Sequence, residues 1–187
     1  MKYADRSVYK GNWKNDKRCG EGELTSADGS TFKGIFLEDK IEGLGTFTWR
    51  TSGTYTGAWL NNMKHGKGKH VYNDKSWYEG DWKCNKFDGE GTMTWENGAS
   101  YKGSFKEGVF NGAGTYTWPD KSKFVGNWDM GKRSGRGKVE YQDGANYDGN
   151  WANDMKDGHG VYLYADGSKY DGEWKNDNKE GKGLLTY

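Results

Sequence analysis

The side chains that could support catalysis or bind a metal ion show no grouping in this sequence. The only histidines are His65, His70 and His159, which share no regular spacing with each other or with the cysteines. We therefore expect surface histidines rather than metal ligands. Carboxylates are plentiful, but none stands in an apolar stretch that would hold it in a catalytic pocket. The sequence predicts no catalytic site, no metal site and no enzyme.

Pairs of glycines in the pattern Gly-x-Gly are frequent, for example Gly20 with Gly22, but they do not indicate a nucleotide site. A dinucleotide site needs a helix directly after the glycines, because the helix amino terminus meets the phosphate. Here each pair is followed by a segment typical of a strand. There is also no Gly-Lys-Ser/Thr phosphate loop. No cofactor is expected.

The elements that position these residues follow a 23-residue repeat along the whole chain. Each repeat begins with an aromatic residue, followed two residues later by glycine and two further on by Trp or Phe. A fixed period of this kind indicates one small unit stacked on itself, and such arrays usually provide extended binding surfaces. The predicted structural core, taken from five of the repeats, is Tyr9, Gly11, Trp13, Tyr55, Gly57, Trp59, Tyr78, Gly80, Trp82, Tyr147, Gly149, Trp151, Tyr170, Gly172 and Trp174.

Composition and charge exclude several partner classes. The formal net charge is +1, so no overall field attracts nucleic acid, and the periodic rings are more simply explained as packing than as base-stacking platforms. No apolar run is long enough for a membrane span or a signal peptide. Cys19 and Cys84 lie three repeats apart, too far for a disulfide, which favours a reducing, intracellular compartment.

Strand alternation predicts how each repeat folds. Tyr9 and Trp13 should share one face of a strand, and a six-residue connection, Lys14 to Cys19, should lead into the next strand. A symmetric loop would pair Trp13 with Gly20 and Tyr9 with Leu24. The glycines would then leave room for an indole lying across the neighbouring strand.

The junctions between repeats carry turn signals. Asx-Gly pairs favour the left-handed backbone of a tight turn and occur at Asp28-Gly29, Asn97-Gly98, Asp143-Gly144 and Asp166-Gly167. Three junctions differ, namely Ser52-Gly53, Asp74-Lys75 and Asp120-Lys121, and their turns are expected to differ as well. The predicted fold is all-β: a single elongated, twisted antiparallel sheet of eight consecutive β-hairpins, forming a rod with an aromatic groove.

The pattern Tyr-x-Gly-x-Trp followed by Gly-x-Gly at a 23-residue period resembles the MORN repeat, over essentially the whole chain. We expect one array over residues 1–187, with a strand-end remnant at 1–8 and an incomplete last repeat. The repeats would start at residues 9, 32, 55, 78, 101, 124, 147 and 170. The resemblance implies a scaffold or adaptor, since MORN proteins act as cytoskeletal organisers, ciliary radial-spoke components and membrane-junction proteins.

Both chain ends stand at the same aromatic position of the repeat, because Tyr3 and Tyr187 are 184 residues apart, which is eight periods. No capping element is visible, and open strand edges pair readily. We expect either a segment of a longer array or an end-to-end homodimer.

Candidate partner-binding residues fall into three groups. Large apolar residues, Ile41, Phe87 and Phe110, occupy a loop position that is basic in other repeats, which suggests an exposed contact patch or local loop packing. Trp77 interrupts a mostly polar position on the opposite face. The rings at the strand ends should be the most reachable in the groove: Trp49, Tyr72, Trp95, Trp118, Tyr141 and Tyr164.

We therefore predict a non-catalytic scaffold that holds a protein partner through its groove or loop edge. The family resemblance adds a cytoplasmic place at the cytoskeleton or ciliary axoneme, with a cytoskeletal, motor or axonemal partner. Phospholipid head groups are a weaker alternative, because nearby Asp and Glu neutralise the basic loop residues. A further alternative is the targeting array of a larger enzyme.

Overall fold

The computed structural model describes residues 1–187 and consists of β-strands joined by turns, with no helix. The chain forms two compact units, Met1–Glu96 and Asn97–Tyr187. The first unit holds β1 (Val8–Lys14), β2 (Lys17–Thr25), β3 (Thr31–Leu37), β4 (Lys40–Trp49), β5 (Gly53–Leu60), β6 (Met63–Val71), β7 (Trp77–Lys83) and β8 (Lys86–Thr94). The second holds β9 (Ser100–Lys106), β10 (Val109–Thr117), β11 (Lys123–Asp129), β12 (Lys132–Glu140), β13 (Asn146–Ala152), β14 (Met155–Leu163), β15 (Lys169–Lys175) and β16 (Asn178–Thr186).

Within each unit, every strand pairs antiparallel with the next strand in sequence. The prediction of an all-β, antiparallel sheet built from consecutive hairpins is therefore confirmed. Each repeat is one pair of strands, such as β1 with β2, and its first aromatic residue lies near the start of the first strand.

The connection inside each repeat is a two-residue turn, not the six-residue loop expected. Strand β2 begins at Lys17, so that only Asn15 and Asp16 connect it to β1. Both residues have positive φ, 50° and 60°, which is the backbone of the tight turn that matches strand twist. Asn and Asp adopt this conformation at little cost, which explains why such pairs recur at this position.

The shorter turn changes the strand register. Tyr9 lies opposite Leu24 as predicted, but Trp13 lies opposite Arg18 rather than Gly20, because a β-bulge follows Gly11. Gly20 instead lies opposite Phe36 of the next repeat. Its φ of +72° places it in the region that favours glycine, so this glycine is required by the bulge.

The turns between repeats share one hydrogen bond. At the first junction the carboxylate of Asp28 accepts the backbone N–H of Ser30 at 2.9 Å. Lys75 and Lys121 adopt positive φ (70° and 73°) at the position of the usual glycine, so two of the three expected exceptions keep the same turn. Only the junction at Gly53 differs, since the positive φ there falls one residue later.

Candidate functional site: the aromatic face

The first column of aromatic residues forms the buried floor of one face of each unit. Its members, called here the inner rings, are Tyr9, Phe32, Tyr55, Tyr78, Tyr101, Phe124, Tyr147 and Tyr170. Each tyrosine lies along its own strand and donates its hydroxyl hydrogen to the carbonyl three residues later, as in Tyr78 to Asp81 O at 2.8 Å.

The regular spacing of glycine in the repeats makes room for these inner rings. A Cβ atom on Gly91, which lies opposite Gly80, would come within 2.4 Å of the Tyr78 hydroxyl oxygen. A Cβ on Gly80 would meet Glu90 O and Gly91 Cα at 2.5 Å. The glycines therefore hold a phenol ring of the same repeat, whereas the sequence predicted an indole from the neighbouring strand.

The second aromatic column, called here the outer rings, is the Trp or Phe four residues after each inner ring. Trp59 meets Tyr55 edge to face with ring centres 5.1 Å apart, and Phe32 of the preceding repeat at 5.7 Å. Its Nε1–H donates to Gly45 O at 3.1 Å. Trp59 is therefore held between two successive repeats. The rings of the predicted core are buried except Trp13, which is 42% exposed, and Gly11 is exposed as well.

The loop position expected to form an exposed patch instead covers the rings. We call it the covering column, and its members are Arg18, Ile41, Lys64, Phe87, Phe110, Arg133, Lys156 and Lys179. Ile41 is only 8% exposed. Phe87 stacks on Tyr78 and Phe110 stacks on Tyr101, with centroid distances of 3.8 Å in both cases. Ile41 is thus buried, whereas Phe87 and Phe110 are half-buried through packing on the rings. The part of these three residues in partner binding stays a prediction.

The cationic members of the covering column also lie over the rings, but they contact them through their charged groups. The Arg133 guanidinium lies 4.2 Å from the centre of the Trp151 ring, and Lys156 Nζ lies 4.8 Å from that of Trp174. These are cation–π contacts, in which the ring face attracts the charge while the alkyl stem covers the ring. The sequence analysis did not predict this role. A repeat position that is filled by Arg, Lys, Ile or Phe is nevertheless typical of one where the apolar part of the side chain packs on its neighbours.

Turn residues of the following repeat hold the two arginines of the covering column in place. Arg133 donates its Nε–H to Asp154 Oδ1 at 3.2 Å and an Nη2–H to the Asp154 carbonyl at 2.7 Å. Arg18 and Asp39 make the same contacts in the first unit, where hydrogen bonds from Arg18 lower the pKa of Asp39.

Lys64 and His70 form a polar pair inside the aromatic face. Lys64 Nζ lies 2.7 Å from His70 Nδ1, and its distances to the ring centres of Trp82, Trp49 and Tyr55 are 4.5, 4.9 and 5.3 Å. Burial lowers the pKa of Lys64 to about 8. Burial is also the main cause that lowers the pKa of His70.

His70 was expected at the surface, but it is 4% exposed. It occupies a strand position filled by Phe47 and Tyr116 in other repeats, and it stacks on Tyr72 at 4.2 Å. Its Nε2 lies 2.8 Å from Ser52 O. The ring thus serves as one more member of the aromatic packing, with both nitrogens in hydrogen-bond contact.

The strand-end rings lie half-buried along the same face. Trp49 stacks on Phe47 at 4.3 Å, and Tyr164 lies 4.5 Å from Tyr162. All six proposed strand-end residues fall in this intermediate class: Trp49, Tyr72, Trp95, Trp118, Tyr141 and Tyr164. They keep part of their ring surface accessible while their neighbours hold their orientation, which suits contact with a partner.

Trp77 lies on the opposite face, paired with Val71 and Thr94. Lys69 Nζ is 4.3 Å from its ring centre and is ion-paired to Glu79 at 3.0 Å. The ring therefore has a covering group of its own, and its role in partner binding stays a prediction.

Neither a side-chain group for a metal ion nor a helix for a membrane occurs in the fold. No group of three or more His, Cys, Asp or Glu side chains is arranged to hold a metal ion. The structure contains no helix whose length and apolar character would let it span a bilayer.

Comparison with protein families identifies the class to which this fold belongs. The model of the MORN repeat matches residues 9–31, 32–54, 55–77, 78–100, 101–123, 124–145, 147–169 and 170–187. The chain therefore belongs to the MORN-repeat family, and the predicted count of eight repeats and their coverage are confirmed. No curated protein sequence matches the chain.

Solved structures with a similar fold include the TCP domain of SAS-4 (dCPAP) from Drosophila melanogaster, in complex with a proline-rich motif of Ana2 (dSTIL). The TM-score is 0.50 at 15% identity, covering 90% of this chain and 91% of that one. The TCP10 domain of Danio rerio CPAP gives a TM-score of 0.45 at 12% identity, covering 100% and 98%. The same domain in complex with a peptide of Danio rerio STIL gives 0.39 at 12% identity, covering 99% and 91%. At these identities the likeness concerns the fold.

Proposed function

We propose that this protein is a non-catalytic scaffold or adaptor that binds a protein partner through its aromatic face. The observation that carries the proposal is the row of half-buried strand-end rings, whose orientation is fixed by packing on neighbouring rings. Rigid aromatic side chains provide large contact area at low entropic cost, and they dominate protein interfaces for this reason.

The similar Drosophila structure adds support, since that domain is bound to a proline-rich motif of another protein. By analogy, the partner segment here is an extended peptide, and a cytoskeletal assembly is the setting that we propose. A cytoplasmic place at the cytoskeleton or cilium, with a cytoskeletal, motor or axonemal partner, belongs to this proposal.

The decisive experiment compares two matched variants in the second unit. The first, Trp118→Ser/Tyr141→Ser/Tyr164→Ser, removes strand-end rings. The control, Val125→Ser/Leu163→Ser, removes exposed apolar side chains that strand alternation places on the opposite face. Both are used as bait in extract from ciliated cells, after thermal unfolding has shown that each is folded.

We expect a specific protein to bind the wild type and the control but not the ring variant, at both low and high salt, because aromatic contacts resist screening. Equal capture by both variants would place the interface elsewhere and contradict the proposal. Binding to vesicles of acidic phospholipid that disappears with salt, and that the ring variant retains, would instead favour the membrane alternative.

A further inference from the structure

The row of strand-end rings is interrupted at one position. Ser26 stands where the other repeats have Trp or Tyr: Tyr3, Trp49, Tyr72, Trp95, Trp118, Tyr141, Tyr164 and Tyr187. Two residues earlier, Leu24 occupies a position that is aromatic in several repeats, including Phe47 and Tyr116. The first repeat therefore lacks two of the rings that cover the aromatic face elsewhere.

The backbone at Ser26 is that of the aromatic repeats. Ser26 N–H donates to Ser30 O at 2.8 Å, and Gly29 N–H donates to Ser26 O at 3.0 Å. The corresponding bonds at Tyr141, to Ala145 O and from Gly144 N–H, are 2.9 and 3.1 Å. The backbone at Ser26 thus has the hydrogen bonds of a repeat that carries a ring at this position.

An open cavity of about 510 Å³ lies at the interruption. This volume is within the range of roughly 300–1,000 Å³ that is usual for ligand pockets. Leu24, Ser26, Tyr3 and Trp13 are among its lining residues. Trp13 is 42% exposed, whereas Trp59, its equivalent two repeats later, is 5% exposed. The cavity therefore offers an accessible indole and apolar surface.

Carboxylates border the cavity in excess of cations. Asp5, Asp16 and Asp39 line it, together with Arg18, which is ion-paired to Asp39 at 3.0 Å. Hydrogen bonds from Ser7 lower the pKa of Asp5, and those from Arg18 lower the pKa of Asp39, so both stay ionised near neutral pH. Since Arg18 is already paired with Asp39, the carboxylates of Asp5 and Asp16 favour a cationic group on the ligand that enters.

We propose that this cavity receives an aromatic side chain of the protein partner, next to a lysine or arginine in the partner's sequence. The inserted ring would complete the row that Ser26 interrupts, with Trp13 beneath it and the neighbouring cation among the carboxylates. This inference rests on the proposed function, because it assigns an anchor point for a partner on the aromatic face.

The test uses acetyl-Lys-Trp-Lys-amide, carrying 5-fluorotryptophan, as a probe observed by fluorine NMR. Ser26→Trp supplies the missing ring from the protein itself, and Ser26→Ala is the matched control that leaves the cavity open. We expect about tenfold weaker binding to Ser26→Trp and unchanged binding to Ser26→Ala, which corresponds to the loss of one aromatic pair with its covered area. Leu24→Tyr, which restores a ring found at the equivalent Tyr116, should weaken binding in the same direction.

Two further probes test the chemistry assigned to the ligand. Acetyl-Glu-Trp-Glu-amide should bind several-fold more weakly than the lysine probe at low salt, and acetyl-Lys-Leu-Lys-amide should bind more weakly at any salt. Equal binding of the leucine probe would indicate a general apolar site and overturn the aromatic assignment. Equal binding of the lysine probe to wild type and Ser26→Trp, or no binding to wild type, would overturn the site itself.

The same variants separate this inference from the proposed function. Ser26→Trp should unfold at the wild-type temperature or above it, which excludes misfolding as the cause of lost binding. If partner capture needs the strand-end rings of the second unit but is indifferent to Ser26→Trp, the scaffold proposal stands and the anchor point is wrong. If capture ignores the strand-end rings altogether, the proposed function itself fails.

Discussion

Lys64 Nζ lies 2.7 Å from Nδ1 of His70 inside the aromatic face of the first unit. An ammonium group can only donate, so Nδ1 must be the acceptor and the imidazole hydrogen must be on Nε2, where it is donated to Ser52 O at 2.8 Å. The folded protein therefore holds a neutral histidine beside a lysine that is costly to keep charged.

This arrangement predicts that stability falls under acid conditions. The pKa of His70 is lowered in the folded state. As the pH falls below about 6.5, His70 therefore becomes protonated in the unfolded chain while it is still neutral in the folded protein. The free energy of unfolding should therefore decrease as pH falls from about 6.5. Thermal unfolding between pH 5 and 7 checks this, and His70→Phe, which mimics Phe47, should flatten the profile. A profile that His70→Phe leaves unchanged would contradict the prediction.

Lys64 predicts a second pH dependence at the alkaline end. Its pKa of about 8 in the folded state lies below the usual lysine value of about 10.4, so above pH 8 the unfolded chain holds the extra proton. Stability should therefore rise from about pH 7.5 to about pH 8.5, below the range in which the tyrosines of the unfolded chain, with a pKa of about 10, lose their protons. Lys64→Met keeps the covering stem and should abolish the rise. If the melting temperature of the wild type is flat over this range, Lys64 is not buried as described.

The hydrogen bonds between successive turns predict different losses of stability for two substitutions of Asp154. Its carboxylate accepts the backbone N–H of Arg133 at 2.9 Å, and its φ of +71° suits Asn or Gly but not Ala. Asp154→Gly, which copies Gly131 of another repeat, should lower the free energy of unfolding by about 1–2 kcal/mol. Asp154→Asn, which copies Asn62, keeps an acceptor and should cost less than half as much. Urea unfolding measures both, and equal costs would show that the side-chain hydrogen bond contributes nothing.

The repeat itself was readable from the sequence because ring, glycine and Trp recur at a constant spacing. That spacing correctly gave the hairpin order and the pairing of Tyr9 with Leu24. The loop length was wrong, since two residues with positive φ, such as Asn15 and Asp16, shorten the turn and a bulge absorbs the difference. The Asx pairs at this position were a usable signal.

Burial of polar residues was the part that the sequence did not reveal. His70 is polar by type, yet its position in the repeat is one that Phe47 fills elsewhere, and this comparison between repeats would have predicted its burial. The covering role of Arg133 and Lys64 could not be derived from charge, because it depends on which ring the alkyl stem crosses. Position in the repeat predicts environment better here than residue type does.

The indole hydrogen bonds between repeats predict that the same substitution has different costs at two outer rings. Trp151 Nε1–H donates to Gly137 O at 3.0 Å, whereas Trp128 Nε1–H lies 3.4 Å from Gly114 O. Trp151→Phe should lower the free energy of unfolding by roughly 2 kcal/mol, through the lost hydrogen bond, the smaller ring and the weaker contact with the Arg133 guanidinium. Trp128→Phe should cost roughly 1 kcal/mol less, because its bond is weaker. A larger loss from Trp128→Phe in urea unfolding would contradict the role given to this hydrogen bond.

The packing of glycine against the inner rings predicts the largest loss of stability. A Cβ on Gly80 would lie 2.5 Å from both Glu90 O and Gly91 Cα, so relief requires the two strands to separate. Gly80→Val should therefore destabilise the first unit by more than about 3 kcal/mol, at or beyond the usual limit for overpacking.

Gly29→Ala is the control for the general cost of replacing glycine. Gly29 has a φ of +87° but no atom within 4 Å of a Cβ, so it carries only the conformational penalty of about 1 kcal/mol. Thermal unfolding followed by far-UV circular dichroism distinguishes the two variants. Since the close approach at Gly80 involves backbone atoms, no rotamer change of Tyr78 can relieve it, and a Gly80→Val protein as stable as Gly29→Ala would refute the packing described for the whole array.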